Sequence, residues 1–395
     1  MNSIKVFFCR VYQFGLHIAV KIAKIPMPKS IERLEDVKNE LKNNDLIHPL
    51  IVTSKSISNS RYLLELIEDL KKNGIFVDVY KDITPDPTFK LVYNLKDYYV
   101  RKNCDSIIAC GGGSVMDASK ALGALVVKKK PLEKLKGVLK VRKKIPFLIA
   151  IPTTAGTGSE ATVSSVVVNE RTNDKFAITD LALVPKVVLL DDNFLKMAPK
   201  TVIRNSGMDA YCHAVEAFLT TFDNKEANEY ALRAIKLVND NLLPFYEDSF
   251  NDEARKNMQL ASYYAGIAFT RIYVGYVHAL AHAIGGIYHL PHGYLVAVLL
   301  PYVLEAYGNS IDIKVSKIGS MITPNKELTT KDFIDSIRKM NHSLDIEPLN
   351  GIIKESDYEI LAKHASKEAN PHYPVPRELS TQELKEIIIK ANSKE

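Results

Sequence analysis

Between residues 50 and 190, short apolar runs alternate with stretches of helical periodicity. This alternation constrains the fold more than any other feature. Residues 50–54, 75–80, 106–110, 147–151 and 186–190 read as strands. After the first of them, Leu63, Leu64, Ile67 and Leu70 recur at helical spacing over residues 56–73, and Gly74 stands where a helix-ending glycine belongs. Thr88 follows the proline-rich loop at Pro85 and Pro87 and reads as the N-cap of a helix reaching about Arg101. Strands alternating with helices make a parallel sheet, because each parallel connection needs a crossover and the helices cover both faces. Residues 163–168 and 175–178 flank a turn at 170–174 and read as a hairpin. Beyond Met197-Ala198-Pro199 the patterns are helical, with almost no strand. The expected architecture is therefore an α/β N-terminal domain (1–197) with a Rossmann-like parallel sheet, followed by an all-α C-terminal domain (198–395).

Size and composition agree. At about 150 residues per domain, 395 residues favour two domains. With 46% hydrophobic and 25% charged residues, the chain is neither disordered nor low-complexity. The net charge of +6 is too mild to argue for nucleic acid. The basic stretch 128–144 lacks interleaved aromatics and reads as a solvated surface loop. Four cysteines, with no CxxC pair, point to reduced thiols and a cytoplasmic location. No unbroken apolar run reaches 18 residues, so no membrane span is expected. Residues 6–25 are rather apolar but carry Arg10, His17, Lys21 and Lys24. They read as an ordinary element leading into the fold, with a membrane-surface helix as the alternative.

Two loops follow strands. Gly111-Gly112-Gly113-Ser114-Val115-Met116-Asp117 lets backbone N–H groups approach an anion at a helix N-terminus, and Ser114 with Asp117 fits a capping box. It is neither a dinucleotide GxGxxG nor a Walker A sequence. Pro152-Thr153-Thr154-Ala155-Gly156-Thr157-Gly158-Ser159-Glu160 offers hydroxyls and N–H groups to phosphate, ribose or an amide. Two such loops on one sheet edge argue for a nucleotide site.

Histidines cluster at His278, His282, His289 and His292. The pairs His278/His282 and Asp209/His213 are each spaced i, i+4, so each pair lies on one helix face. An aspartate and imidazoles on facing helices are transition-metal ligands, and Pro291 and Gly293 shape the turn around His292. Cys212 points off the ligand face. A divalent ion there would polarise a carbonyl or acidify an alcohol, and a nicotinamide would exchange the hydride.

Four segments, in order, resemble the iron-containing (group III) alcohol dehydrogenases: Gly111-Gly112-Gly113-Ser114-x-x-Asp117-x-x-Lys120, the 152–160 string, Gly207-Met208-Asp209-Ala210-x-x-His213-Ala214-x-Glu216-Ala217, and His278-Ala279-x-Ala281-His282-x-x-Gly285 with Pro291-His292-Gly293. The match runs from about residue 45 to 390. The resemblance implies a dehydroquinate synthase-like fold with the active site in the cleft between the domains. It also implies hydride transfer between nicotinamide C4 and a metal-bound alcohol or carbonyl. Its implied metal ligands are Asp209, His213, His278 and His292, holding Fe2+, or Zn2+ or another divalent ion. His282 aligns with the family's proton-relay histidine and joins Asp209 and His278 as catalytic. Gly112, Gly113, Ser114, Asp117, Thr153, Thr154, Thr157, Thr162 and Lys175 would contact NAD or NADP, with Asp86 near the adenosine end. A small-molecule alcohol or aldehyde is the implied substrate, and a homodimer the implied assembly.

The chain departs from the family twice. An aspartate that disfavours NADP often follows the first strand; here Ser54 takes its place and removes that repulsion. Arg271 and Tyr273 stand before His278 where smaller or amide residues are usual. A dehydroquinate-synthase-like lyase, a zinc polyol dehydrogenase and a silent nucleotide-binding protein are the rival readings. Intact ligand positions argue against the silent binder.

Overall fold

The computed structural model describes residues 3–171, 174–324 and 327–393. The chain folds as two compact units. One is the α/β unit, Ile25–Ala198. The other joins the N-terminal segment through Lys24 to the chain from Pro199 onward. The division at 198/199 falls beside the expected boundary, but the N-terminal segment differs from expectation. Helix α1 (Ser3–Ala23) groups with the helical unit because its polar groups are anchored there. Arg10 Nη1 donates to the Val375 carbonyl at 2.8 Å, and Gln13 Nε2 donates to that of Tyr373 at 2.9 Å.

The α/β unit holds β1 (Lys29–Ile31), α2 (Asp36–Lys42), β2 (Pro49–Val52), α3 (Lys55–Ser58), α4 (Arg61–Lys72), β3 (Asp78–Tyr80), α5 (Phe89–Arg101), β4 (Ser106–Gly111), α6 (Gly113–Val127), β5 (Gly137–Val138), β6 (Phe147–Pro152), β7 (Ser164–Asn169), β8 (Asp174–Thr179) and β9 (Val187–Leu189). Six strands form a parallel sheet in the order β1-β9-β6-β4-β2-β3. Every residue of β2 and β4 is buried, which is why these strands are continuously apolar rather than alternating. On one face Ile51, Ile108 and Ile149 pack with Val37, Leu41, Leu63, Leu66 and Leu70 of α2 and α4. The expected hairpin is present, β7 pairing antiparallel with β8. Thr172 and Asn173 of its predicted turn lie outside the described residues.

Two local expectations need correcting. The helix predicted over 56–73 is split, because Ser60 turns its hydroxyl to accept from Leu63 N–H and starts α4 afresh. The Ser114/Asp117 capping box does not form. Gly112 is the N-cap of α6, so Ser114 already lies inside the helix.

The helical unit continues with α7 (Lys200–Leu219), α8 (Lys225–Glu247), α9 (Asp252–Ile272), α10 (Tyr276–Tyr288), α11 (His292–Tyr307), α12 (Asp312–Ile322), α13 (Thr330–Ser343), α14 (Tyr358–Ala369) and α15 (Thr381–Asn392). Helix α7 is buried along nearly its whole second half. Contrary to expectation, two stretches are long and apolar enough to cross a membrane by length and composition: Ser3–Ala23 and His292–Ile322. Scattered polar residues break an apolar run without cancelling its average. The second stretch is 61% buried and forms core, whereas α1 is 11% buried.

Candidate metal centre and nucleotide loops

The connection from β2 runs to β3 on one side, and the chain after β4 returns to the sheet at β6 on the other, so the direction reverses between β2 and β4. Such a switch point opens a crevice at the strands' carboxyl ends. Three loops emerge there in spatial sequence, after β2, β4 and β6. Thr53 Oγ1 donates to the Cys110 carbonyl at 2.8 Å, and Thr153 N–H donates to the Gly111 carbonyl at 3.2 Å, tying neighbouring loops together. A Cβ on Gly112 would stand 3.2 Å from Thr154 Cγ2, and one on Gly113 would stand 2.9 Å from Thr157 Cγ2. The glycines let the second loop close over the first. Ser54 sits at the mouth of β2, capping α3, with its hydroxyl 3.0 Å from that of Ser56.

Lys120 fastens this arrangement from below. It is fully buried, and its ammonium donates to the carbonyls of Ser159 at 2.6 Å and of Thr162 and Ser164 at 2.9 Å. Thr162 Oγ1 also accepts from it at 2.8 Å, so the Thr162 hydroxyl is engaged inside the protein rather than offered to a ligand. Asp117 Oδ1 accepts from Ser159 Oγ at 3.2 Å. Burial dominates the titration here. It lowers Lys120 to about 8 and raises Asp117 to about 6 and Glu160 to about 7. Asp86 and Lys175, both predicted along the cofactor, pair with each other at 3.0 Å. Asp86 has φ of 50°, a left-handed conformation that aspartate and asparagine tolerate better than most residues.

The helical unit brings Asp209, His278 and His292 together, their ligand atoms all within 4.8 Å of one another, with His213 beside Asp209. Asp209 and His213 are on α7, His278 is on α10, and His292 opens α11 behind the N-cap Pro291. Asp209 Oδ1 is 3.7 Å from His213 Nδ1, 3.7 Å from His278 Nε2 and 3.4 Å from His292 Nε2. These separations exceed ordinary hydrogen bonds. Asp209 Oδ1 and His278 Nε2 are buried and make no hydrogen bond among the described residues. Bonds of about 2.1 Å to one ion put tetrahedral ligand atoms about 3.4 Å apart. The donor set therefore fits a divalent ion. Burial alone would raise Asp209, but the surrounding imidazoles outweigh it and hold the carboxyl well below the usual range. Burial lowers His292, despite Asp209 beside it, which favours the neutral ligand form.

The turn into α11 works differently from expectation. His289, not Gly293, takes the left-handed conformation, with φ of 53° as it ends α10. Gly293 is there for space: a Cβ would lie 2.1 Å from the Asn205 carbonyl oxygen.

A supporting layer surrounds the ligands, and two of its members, Glu216 and Glu368, were given no role by the sequence. His278 Nδ1 lies 2.6 Å from Glu216 Oε2, and Val277 N–H donates to Glu216 Oε1 at 2.8 Å. Glu216 sits seven residues beyond Asp209 on α7, two helical turns along the same face, and that periodicity and its place in the string from Gly207 to Ala217 were its only signals. Cys212 Sγ is 4.0 Å from His278 Nδ1, off the ligand face as expected but against the back of the ring. His282 stacks on His292 with centroids 5.1 Å apart, and its Nδ1 is 2.7 Å from Glu368 Oε1. Tyr373 donates its hydroxyl to that same oxygen at 2.8 Å. Arg271 is buried, with Nη1 donating to the Ile267 carbonyl at 3.0 Å. Tyr273 has φ of 70° and packs edge-on against Phe222.

Known proteins match both units. Residues 30–192 match the family model described as iron-containing alcohol dehydrogenase, and residues 203–392 match the C-terminal model of the Fe-containing alcohol dehydrogenase family. Alcohol dehydrogenase 4 of Saccharomyces cerevisiae is 34% identical over 364 residues, covering 91% of this chain and 94% of the yeast protein. The NAD-dependent methanol dehydrogenase of Bacillus methanolicus is 28% identical, covering 90% of this chain and 95% of its own. The solved structure of an alcohol dehydrogenase from Oenococcus oeni has a TM-score of 0.89 and 30% identity, covering 93% of this chain and 99% of that one. With three imidazoles converging on one carboxylate oxygen and two glycine- and threonine-rich loops at the sheet's switch point, the chain belongs to the iron-containing alcohol dehydrogenase family of NAD(P)-linked oxidoreductases.

Proposed function

We propose that Asp209, His213, His278 and His292 hold one divalent ion and that the loops after β2, β4 and β6 hold NAD or NADP, for the reversible reduction of small aldehydes to alcohols. The observation that carries this reading is the convergence of three imidazole nitrogens within 3.4–3.7 Å of Asp209 Oδ1. When bound, the ion supplies a Lewis acid and the nicotinamide a hydride donor or acceptor.

The chain's own residues do the rest. Glu216 accepts from His278 Nδ1–H, which fixes the tautomer and turns the Nε2 lone pair toward Asp209. Glu368 accepts from His282 Nδ1–H in the same way, leaving His282 Nε2 to take up or release the proton that accompanies alcohol–carbonyl interconversion. Gly112, Gly113 and Ser114 offer backbone N–H groups at the start of α6, where a pyrophosphate is favoured. Thr153, Thr154 and Thr157 border the same edge, and Lys175 with Asp86 lies toward the adenosine end. Asp117 and Thr162 shape these loops from within.

All four cysteines are free and buried, which supports a reducing, cytoplasmic setting. A homodimer is the assembly we propose, and sedimentation of the holoenzyme tests it. For the reaction, His278→Ala should abolish ion retention and aldehyde-dependent NAD(P)H oxidation together. Turnover surviving in ion-free protein would overturn the mechanism, and nicotinamide binding without net oxidation on any aldehyde would favour a lyase.

A further inference from the structure

Helix α1 presents a continuous apolar stripe to solvent. Ile4, Phe7, Phe8, Phe14, Ile18 and Ile22 recur at helical spacing and are all exposed, Phe14 at 68% and Ile22 at 74%. Contiguous exposed apolar surface of this kind marks an interaction site. The opposite face is fixed to the helical unit. Cys9 and Gln13 are buried, Arg10 pairs with Glu378 at 2.7 Å, and the His17 ring packs at a tilt against Phe222, centroids 4.6 Å apart. The helix contains no aspartate or glutamate, while Lys5 and Lys21 are exposed on the two flanks of the stripe and exposed Lys24 follows it.

We propose that α1 is an in-plane anchor that seats the enzyme on an anionic lipid surface. A stripe of phenylalanine and isoleucine bordered by lysines has the form of an interfacial helix, its apolar face entering the acyl boundary and its cations meeting headgroup phosphates. Spanning is excluded by the anchoring. The central Arg10 and Gln13 would have to abandon Glu378 and the carbonyls of Val375, Pro376 and Tyr373 inside hydrocarbon. A second copy of the chain is the poorer occupant. A two-fold pair of α1 helices would add cations on both sides with no acid on either helix to answer them. Anionic lipid supplies the missing charge, and the cytoplasmic leaflet that carries it accords with a cytoplasmic enzyme. This proposal is independent of the ion and the nucleotide.

The chain has no tryptophan, so Phe14→Trp gives the full-length enzyme a single reporter on the stripe. Vesicles of phosphatidylcholine containing phosphatidylglycerol should shift its emission to the blue and carry the protein upward in a flotation gradient. Vesicles of phosphatidylcholine alone should do neither. Phe7→Ser should lower partitioning by more than about tenfold, and Lys5→Gln or Lys21→Gln by about fivefold each, with aldehyde reduction unchanged. Three outcomes would overturn the proposal: no response to anionic vesicles, equal binding to neutral ones, or a blue shift that appears on concentrating the protein without lipid and vanishes with Phe7→Ser. The last would assign the stripe to a second copy.

Discussion

His278 and Glu216 are joined by a 2.6 Å contact between Nδ1 and Oε2, and the second oxygen of that carboxylate accepts from the N–H of Val277 at 2.8 Å. Two donors on the first turn of α10 thus face two acceptors on α7. Gly275 leaves the room for it, since a Cβ there would stand 2.6 Å from Glu216 Oε1. Glu216→Gln keeps the shape and loses one acceptor, so one donor must face an amide NH2. Ion affinity should fall by about 10–100-fold, measured by competition with a chromophoric chelator.

Gly293→Ala tests how tightly the third ligand-bearing element is set. The added methyl would lie 2.1 Å from the carbonyl oxygen and 2.6 Å from the carbonyl carbon of Asn205, both backbone atoms that cannot rotate away. The start of α11 must move, and His292 moves with it. The variant should remain folded by circular dichroism but hold its ion at least about tenfold more weakly.

Ser54→Asp tests the coenzyme. Ser54 ends the loop after β2 with no acid in its place, and neighbouring Lys55 is 3.7 Å from Asp82. A carboxylate there would repel the extra phosphate of NADPH. The apparent KM for NADPH should rise more than that for NADH. Equal shifts would remove Ser54 from coenzyme selection.

Glu160 makes stability depend on pH. It is 2% exposed, and its Oε1 has no hydrogen-bond partner among the described residues. Burial raises it from 4.5 to about 7. The folded state therefore binds a proton that the unfolded state has already released between those values. Stability contributed by the protonated form is complete below pH 4.5 and is lost as pH rises through about 7. The loss is about 3 kcal/mol. Lys120 titrates at about 8, above this window. Denaturant unfolding of Glu160→Gln should show a flatter profile than the parent across the window, and identical profiles would remove Glu160 as the cause.

Much of the site was legible in sequence because its chemistry is tied to short-range spacing. Asp209/His213 and His278/His282 are each one helical turn apart, and both strand-end loops are contiguous strings. The supporting partners were not legible in the same way. Glu368 lies 86 residues from His282, and the acceptors of Lys120 lie 39–44 residues away. No local period connects such pairs. The capping-box reading failed because Ser114 matches the motif but Gly112 already takes the N-cap position.

By itself, then, the sequence determined the alternating α/β half, the helical half and the residue types able to bind an ion and a nucleotide. All of these follow from periodicities of two and of 3.6 residues and from side-chain chemistry. Tertiary structure alone decided which atoms meet. It placed Glu216 behind His278, committed the Thr162 hydroxyl to Lys120, and joined α1 to the helical unit through Arg10 and Gln13. Each depends on buried polar groups finding partners far along the chain, and only the packed fold brings those partners within hydrogen-bonding distance.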